Sequence, residues 1–403
     1  MGKDCPVSTD TSLVLRGRLV TPRGVLDDGV VVVDGATIVW VGPVDRLPSG
    51  WSAPEPSGTT ILPGLVDLHC HGGGGASFPD AVDADDARRA VDEHRRHGTT
   101  SLVASLVTAA ADVLLERTAL LAGLADAGEI VGIHLEGPFL SADRCGAQNP
   151  ADMQVGDAGL VRRIAEAAGG HLVTMTVAPE VPGAEQAIEA LVDVGAVPSI
   201  GHTDASAEQV DEAVDRGFDL LAARRNGRLT ATHLFNGMRP LHHRDPGPIA
   251  ACLAAAARGE LVVELVADGT HLADGTVRSV FDLLGPGSIA LVTDAMAAAG
   301  MPDGAYRLGP MEVSVADGVA RVVEAGGRPG AIAGGVAHLL DVVRNVVAAG
   351  IPLEDAVLAA ATTPADVLGR RDLGALAAGR RADLVVTDDD LRPVRVLRGG
   401  AWV

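Results

Sequence analysis

Eight short apolar runs alternate with longer amphipathic stretches between positions 65 and 296, and this alternation leaves the chain few folds to choose from. The runs are LVDLHCH, TSLVASLVT, EIVGIHLEGP, HLVTMTVAPE, AVPSIGHT, TATHLFN, LVVELVADGTH and SIALVTDAM. Between them lie stretches such as DARRAVDEHRRHG and AEQVDEAVDRG, whose apolar residues recur three and four apart, the period of a helix. Eight β/α units in roughly 300 residues are the count of a closed (β/α)8 TIM-like barrel of the α/β class. An open doubly wound sheet is the alternative, but no Gly-rich dinucleotide turn follows an early strand. Aromatic residues make up only 2% of the chain, so its core must be filled by Ala, Val and Leu.

The two ends read differently. LVLRGRLV and GVVVVDGATIVWVG near the start, and ADLVVTD and VRVLRGGAWV near the finish, are short strands separated by turns. We expect residues 1–62 and 371–403 to form one small β-sandwich domain around a catalytic barrel at 63–370. GAYRLGPMEVSVADGVARV, after the eighth run, reads as an inserted hairpin.

A formal net charge of -21 argues against nucleic-acid and anionic-membrane partners, which demand a basic face. It leaves room for a small anion held by a local cluster. The first residues lack the charged start and apolar core of a signal peptide, and no apolar run reaches the roughly 18 residues of a membrane helix. Cys5, Cys70, Cys145 and Cys252 have no paired spacing, which fits free thiols in a reducing cytoplasm.

Residues two apart in a strand share a face, so His69 and His71 point together while Cys70 points away into packing. Glu136 closes the third run, His202 the fifth and His233 the sixth; His271 follows the seventh, and Asp294 closes the eighth. A single histidine in an apolar strand is commonly a hydrogen-bonded core residue. N and O donors gathered at successive strand ends of a barrel, where such folds keep their chemistry, are instead the makings of a metal site. His94 and His97, beside Arg95 and Arg96, are expected on a solvated helix face. His134, one rung below Glu136, is expected in the barrel interior, and His338 in a helix. Lys3 is the only lysine, so a carbamylated lysine cannot bridge two metals, and Glu136 must be the shared or central ligand. The glycines Gly72–Gly75 lack the Lys-Ser/Thr of a P-loop and are expected to clear space beside the ligands.

LPGLVDLHCHGGGG, GIHLEGPFLS, SIGHTDAS, ATHLFNGM, HRDPG, VADGTH and LVTDAM, in this order, resemble the N-acetylglucosamine-6-phosphate deacetylase family of the amidohydrolase superfamily. The resemblance runs from about Leu13 to Val403. It implies that Glu136, His202 and His233 hold a principal divalent ion, that His69 and His71 hold a second, and that Asp294 is the catalytic aspartate. The ion it implies is Zn2+, with Fe2+, Mn2+, Co2+ or Cd2+ as substitutes, one or two per subunit. Asn236 and Gly237 match the segment near the sugar phosphate, Arg244 and His271 its side-chain partners; the family takes that arginine from the neighbouring subunit of a homodimer. Where some members carry a histidine against the acetamide, this chain has RCGAQNP, so Gln148 stands in its place and Cys145 three residues before it, both facing substrate. The implied reaction is removal of acetate from an N-acetylated sugar phosphate. Another substrate on the same scaffold, the galactosamine epimer among them, is the alternative; a non-catalytic assembly protein would have no need of Asp294 beside a full ligand set.

Overall fold

The computed structural model describes residues 12–224 and 227–403; Lys3 and Cys5 lie outside the described residues. The eight apolar runs form one parallel sheet: Leu65–Cys70, Thr99–Leu106, Gly132–Glu136, Leu172–Val177, Val197–Ile200, Leu229–Ala231, Leu261–Leu265 and Ile289–Leu291. They are hydrogen-bonded in chain order, first to eighth. The first and last meet again through a parallel bridge between Cys70 and Ala295, and Asp294 N–H donates to His69 O at 2.8 Å, which closes the barrel. Every residue of the first strand is buried, as expected of a parallel sheet covered on both faces.

The connecting helices follow from their sequences. In Ala84–Arg96 the Asp83 side chain accepts from Asp86 N–H and caps the start, acidic residues occupy the first turn and His94, Arg95 and Arg96 the last. Each choice complements the helix dipole. Ala87, Ala90, Val91 and His94 are the buried residues, at the i, i+3, i+4, i+7 spacing of one face. His94 is therefore fully buried rather than on a solvated face as expected, and its Nε2 donates to Gly72 O at 2.8 Å. His97, beyond the helix end, is half-buried and stacks on His338, which caps the start of Leu339–Ala348.

Both chain ends contribute to a separate seven-stranded sheet. Ser12–Thr21, Gly24–Asp34, Thr37–Pro43 and Thr60–Pro63 pair with Leu384–Thr387, Pro393–Arg398 and Ala401–Trp402, and the link is the antiparallel pairing of Thr60–Pro63 with Leu384–Thr387. It has its own core of Leu19, Val31, Ile38, Ile61, Leu384 and Leu397. The expected hairpin is a four-stranded antiparallel sheet instead, Gly304–Leu308, Met311–Ala316, Val319–Val323 and Pro329–Ile332. Its fourth strand, PGAI, has no apolar alternation to announce it. Among the described residues no helix is long and apolar enough to cross a membrane.

Candidate metal centre and active site

The chain turns sharply at the ends of three barrel strands. His202, His233 and Asp294 have φ of 46°, 28° and 48°. Non-glycine residues rarely adopt positive φ, and each such residue costs on the order of 1–3 kcal/mol, so the surrounding structure must impose it. The turn swings each side chain from the strand end into the barrel mouth.

There Glu136 is the centre. Its Oε1 lies 2.9 Å from His202 Nε2 and 2.8 Å from His233 Nε2, while its Oε2 lies 3.2 Å from His71 Nε2. One carboxylate thus reaches all four imidazoles, His202 and His233 closely through Oε1, His71 through Oε2, and His69 at 3.9 Å from Oε1. His69 Nε2 and His71 Nε2 are 3.0 Å apart, as are His202 Nε2 and His233 Nε2 at 3.1 Å. Asp294 Oδ1 closes the ring, 3.3 Å from His71 Nε2 and 3.4 Å from His69 Nε2. All six side chains are buried.

This donor set fits a divalent ion. Two ligands bound at about 2.1 Å in a tetrahedral arrangement stand about 3.4 Å apart, close to the separations found here. Neutral imidazoles that bring their Nε2 atoms together leave lone pairs converging with nothing to share but a cation or a proton. The electrostatics agree. Burial alone would push His71 down, but Asp294 and Glu136 outweigh it and raise it to about 10. Burial likewise opposes ionisation of Glu136 and Asp294, yet the imidazoles hold both carboxyls well below their usual range. A pocket that asks so strongly for positive charge is one that a divalent cation satisfies.

Three of the four outer nitrogens are engaged, those of His69, His71 and His202, while His233 Nδ1 is buried without a hydrogen-bond partner. His71 Nδ1 donates to Ser105 O at 3.2 Å and His202 Nδ1 to Arg144 O at 2.8 Å, which leaves Nε2 of each as the inward donor atom. Asp67, on the same strand face as His69 and His71, accepts from His69 N–H at 3.2 Å and from the Thr293 hydroxyl at 2.6 Å. His134 lies below His69, with ring centroids 4.5 Å apart, and both its nitrogens are engaged, by Ser105 Oγ and Thr176 Oγ1.

A cavity of about 240 Å³ opens above this ring. It is lined by His71, Glu136, Gln148, His202, His233, Asn236, Gly237, His271 and Asp294, with Leu308 and Ile332 of the inserted sheet as an apolar wall. The sequence-predicted residues are therefore brought together, with two exceptions. Arg244 is exposed on the loop after Met238, against His243, and does not line the cavity of its own chain. Cys145 is half-buried and stands back from the cavity wall, which Gly146 forms instead.

Gln148 does reach the wall, but its amide is occupied: the nitrogen donates to Glu136 Oε2 and the oxygen accepts from Thr108 N–H at 2.8 Å. It braces Glu136. Gly237 has φ 59°, and a Cβ there would sit 2.8 Å from His202 Nδ1, so this glycine makes room for the His202 imidazole. His271 is held by Asp268, which accepts from its Nδ1 at 2.9 Å and its N–H at 2.8 Å.

Sequence reasoning missed Asp67, Glu264 and the burial of His94. Each left a trace: Asp67 and Glu264 are lone carboxylates in otherwise apolar strands, and His94 continues the Ala87–Ala90–Val91 face.

Glu93, His97 and His338 form a further carboxylate–imidazole group, with His338 Nε2 2.9 Å from Glu93 Oε1. Its two rings stack face to face at 3.7 Å and 12°. Imidazole lone pairs lie in the ring plane, so the two cannot meet at one ion; the group is a clasp between two helices.

A sequence model of the amidohydrolase family matches residues 60–403. The chain belongs to the amidohydrolase family. An N-acetylglucosamine-6-phosphate deacetylase of Lysinibacillus sphaericus is 34% identical over 355 residues, 86% of each chain. An N-acetylgalactosamine-6-phosphate deacetylase of Escherichia coli O157:H7 is 32% identical over 94% of this chain and 96% of its own. Among solved structures, a mutant N-acetyl-D-glucosamine-6-phosphate deacetylase of Mycobacterium smegmatis, in complex with N-acetyl-D-glucosamine-6-phosphate, superposes with a TM-score of 0.89 at 41% identity. That match covers 97% of this chain and 99% of the other.

Proposed function

We propose that the chain hydrolyses the acetamide of N-acetyl-D-glucosamine 6-phosphate, giving D-glucosamine 6-phosphate and acetate. The observation that carries this reading is the placement of Asp294: a carboxylate on the cavity wall, within 3.4 Å of two imidazoles of the ligand ring, where a water and an amide carbon would meet. Glu136, His202 and His233 would hold the principal ion and His69, His71 and Glu136 a second, with Zn2+ favoured by the N/O donor set and the tetrahedral spacings. When bound, such an ion supplies Lewis acidity, which makes water more acidic and the acetamide carbonyl more electrophilic.

The remaining work falls to the chain. Asp294 takes the proton of the attacking water as oxygen bonds to the acetyl carbon. It then gives that proton to the sugar nitrogen as the C–N bond breaks, so one carboxylate serves as base and then as acid. Leu308 and Ile332 keep bulk water from the reacting carbon. The phosphate falls to His271, Asn236 and the Gly237 backbone at the cavity's other side, with Arg244 supplied by the second subunit of a homodimer. Residues 63–370 form the catalytic unit in this reading, and 1–62 with 371–403 its companion domain.

The similarity to the Escherichia coli O157:H7 enzyme favours one competing substrate, the galactosamine epimer. Acetate release from the two epimeric phosphates and from unphosphorylated N-acetylglucosamine decides between them. The glucosamine phosphate should have the highest kcat/KM; a higher value for the galactosamine phosphate would reverse the assignment, and equal values with and without phosphate would remove the phosphate site.

A further inference from the structure

Glu264 lies in the seventh barrel strand, 1% exposed, and no arginine or lysine side chain pairs with it among the described residues. A carboxylate this deep needs strong donors to remain there. Its partners are two. His69 Nδ1 lies 3.1 Å from Oε2, and the backbone N–H of His233 donates to the same oxygen at 3.2 Å. The backbone carbonyl of Glu264 also accepts from Leu234 N–H at 2.9 Å, so one residue grips both sides of the turn at which His233 takes its unfavourable φ of 28°.

The two side-chain contacts fall on different halves of the metal centre. His69 belongs to the group with His71 and Glu136, His233 to the group with Glu136 and His202. Glu136 joins the halves from above and Glu264 from behind. A carboxylate facing Nδ1 fixes that nitrogen as the protonated one, and a neutral imidazole then has its lone pair on Nε2, which here points into the ring of donors.

We propose that Glu264 is a positioning residue for both halves of the metal centre: it sets the tautomer and orientation of His69 and locks the strained backbone of His233. The proposal rests on the reading that these histidines hold metal. It assigns the seventh strand, which supplies no ligand, a part in building the centre, and it implies that His69 is poised as a ligand rather than stored in the core.

The test uses Glu264→Gln and Glu264→Leu in the full-length protein, with Zn2+ and Co2+ as probes. Glutamine keeps an oxygen able to accept from both donors, whereas leucine removes it at similar volume. Bound metal is measured by elemental analysis after dialysis against graded chelator, and the visible spectrum of the Co2+ form reports ligand geometry. Glu264→Leu should bind its weaker equivalent 10- to 100-fold less tightly, the range found when such supporting contacts are removed. Glu264→Gln should recover most of that loss and the wild-type Co2+ spectrum. Wild-type affinity and spectrum in a folded Glu264→Leu protein would overturn the proposal. If the leucine variant does not fold, 15N NMR of the metal-loaded wild type still decides: a proton on His69 Nδ1 supports the assignment, and a proton on Nε2 overturns it. Wild type that binds no metal at all would instead strike the underlying reading of the site.

Discussion

At the scale of single residues the site is a competition for positive charge in a buried ring, and in the proposed reaction Asp294 is the member that moves the proton. Asp294→Asn keeps the shape and removes the base, so kcat should fall at least about 100-fold, the lower end of general acid–base contributions, while KM changes little. Acetate release under saturating substrate checks this, and near-normal turnover would move the proton transfer to another group. Gly237 makes a different point. Gly237→Ala would set a methyl 2.8 Å from His202 Nδ1, on a residue already at φ 59°. The imidazole must shift, so the variant should lose metal as well as activity, measured as ion content per chain after dialysis; a metal-replete, fully active Gly237→Ala would show that His202 has room to spare. The residues that gather in this ring were legible in the sequence because they close the first, third, fifth, sixth and eighth strands, a pattern of types and positions. What supports them was not. Gln148 against Glu136, and Glu264 against His69 across 195 positions, are pairings that only the closed barrel creates.

At the scale of elements, the strands could be read because each is a compact apolar run, and the eight runs fall in order around the barrel. The last strand of the inserted sheet could not, since proline and glycine open it. The first barrel helix shows how local charge misleads: Arg95 and Arg96 suggest a wet surface, yet His94 faces inward with Ala87, Ala90 and Val91. Burial first, and the neighbouring His338 next, push His94 down from 6.5 to about 4, against smaller upward pulls from Gly72 O and Glu93; His97 adds to the downward side. The sign follows. Between those values the unfolded chain binds this proton and the folded chain does not, so the stability that neutral His94 provides is complete above pH 6.5 and is lost as pH falls towards 4. At about 1.4 kcal/mol per unit the full loss is about 3 kcal/mol. Glutamine can still donate to Gly72 O but does not titrate. Urea unfolding should therefore show wild type losing up to that much more stability than His94→Gln between pH 6.5 and 4, and parallel curves would mean that His94 is hydrated or charged in the fold.

At the scale of the whole molecule, one predicted site residue stands apart. Arg244 is exposed on its own chain, paired with His243, and absent from the cavity wall that His271, Asn236 and Gly237 share. A guanidinium on a surface loop has little reason to serve a phosphate within its own barrel, but a twofold partner can bring it to the mouth of the other site. If so, each working site needs Arg244 from one chain and Asp294 from the other. Arg244→Ala and Asp294→Asn chains, each nearly inactive alone, should then complement each other. Random equal association makes about half of the dimers mixed, and in each of these one site carries both lesions and the other neither. About a quarter of all sites are therefore intact, and acetate release after co-expression should approach a quarter of the wild-type rate. If Arg244 serves its own chain, every site in a mixed dimer has one lesion and nothing is regained. Parental activity in a sample shown by two-tag purification to hold mixed dimers would place the phosphate contact within one chain, and a monomer in sedimentation would leave Arg244 a solvated residue.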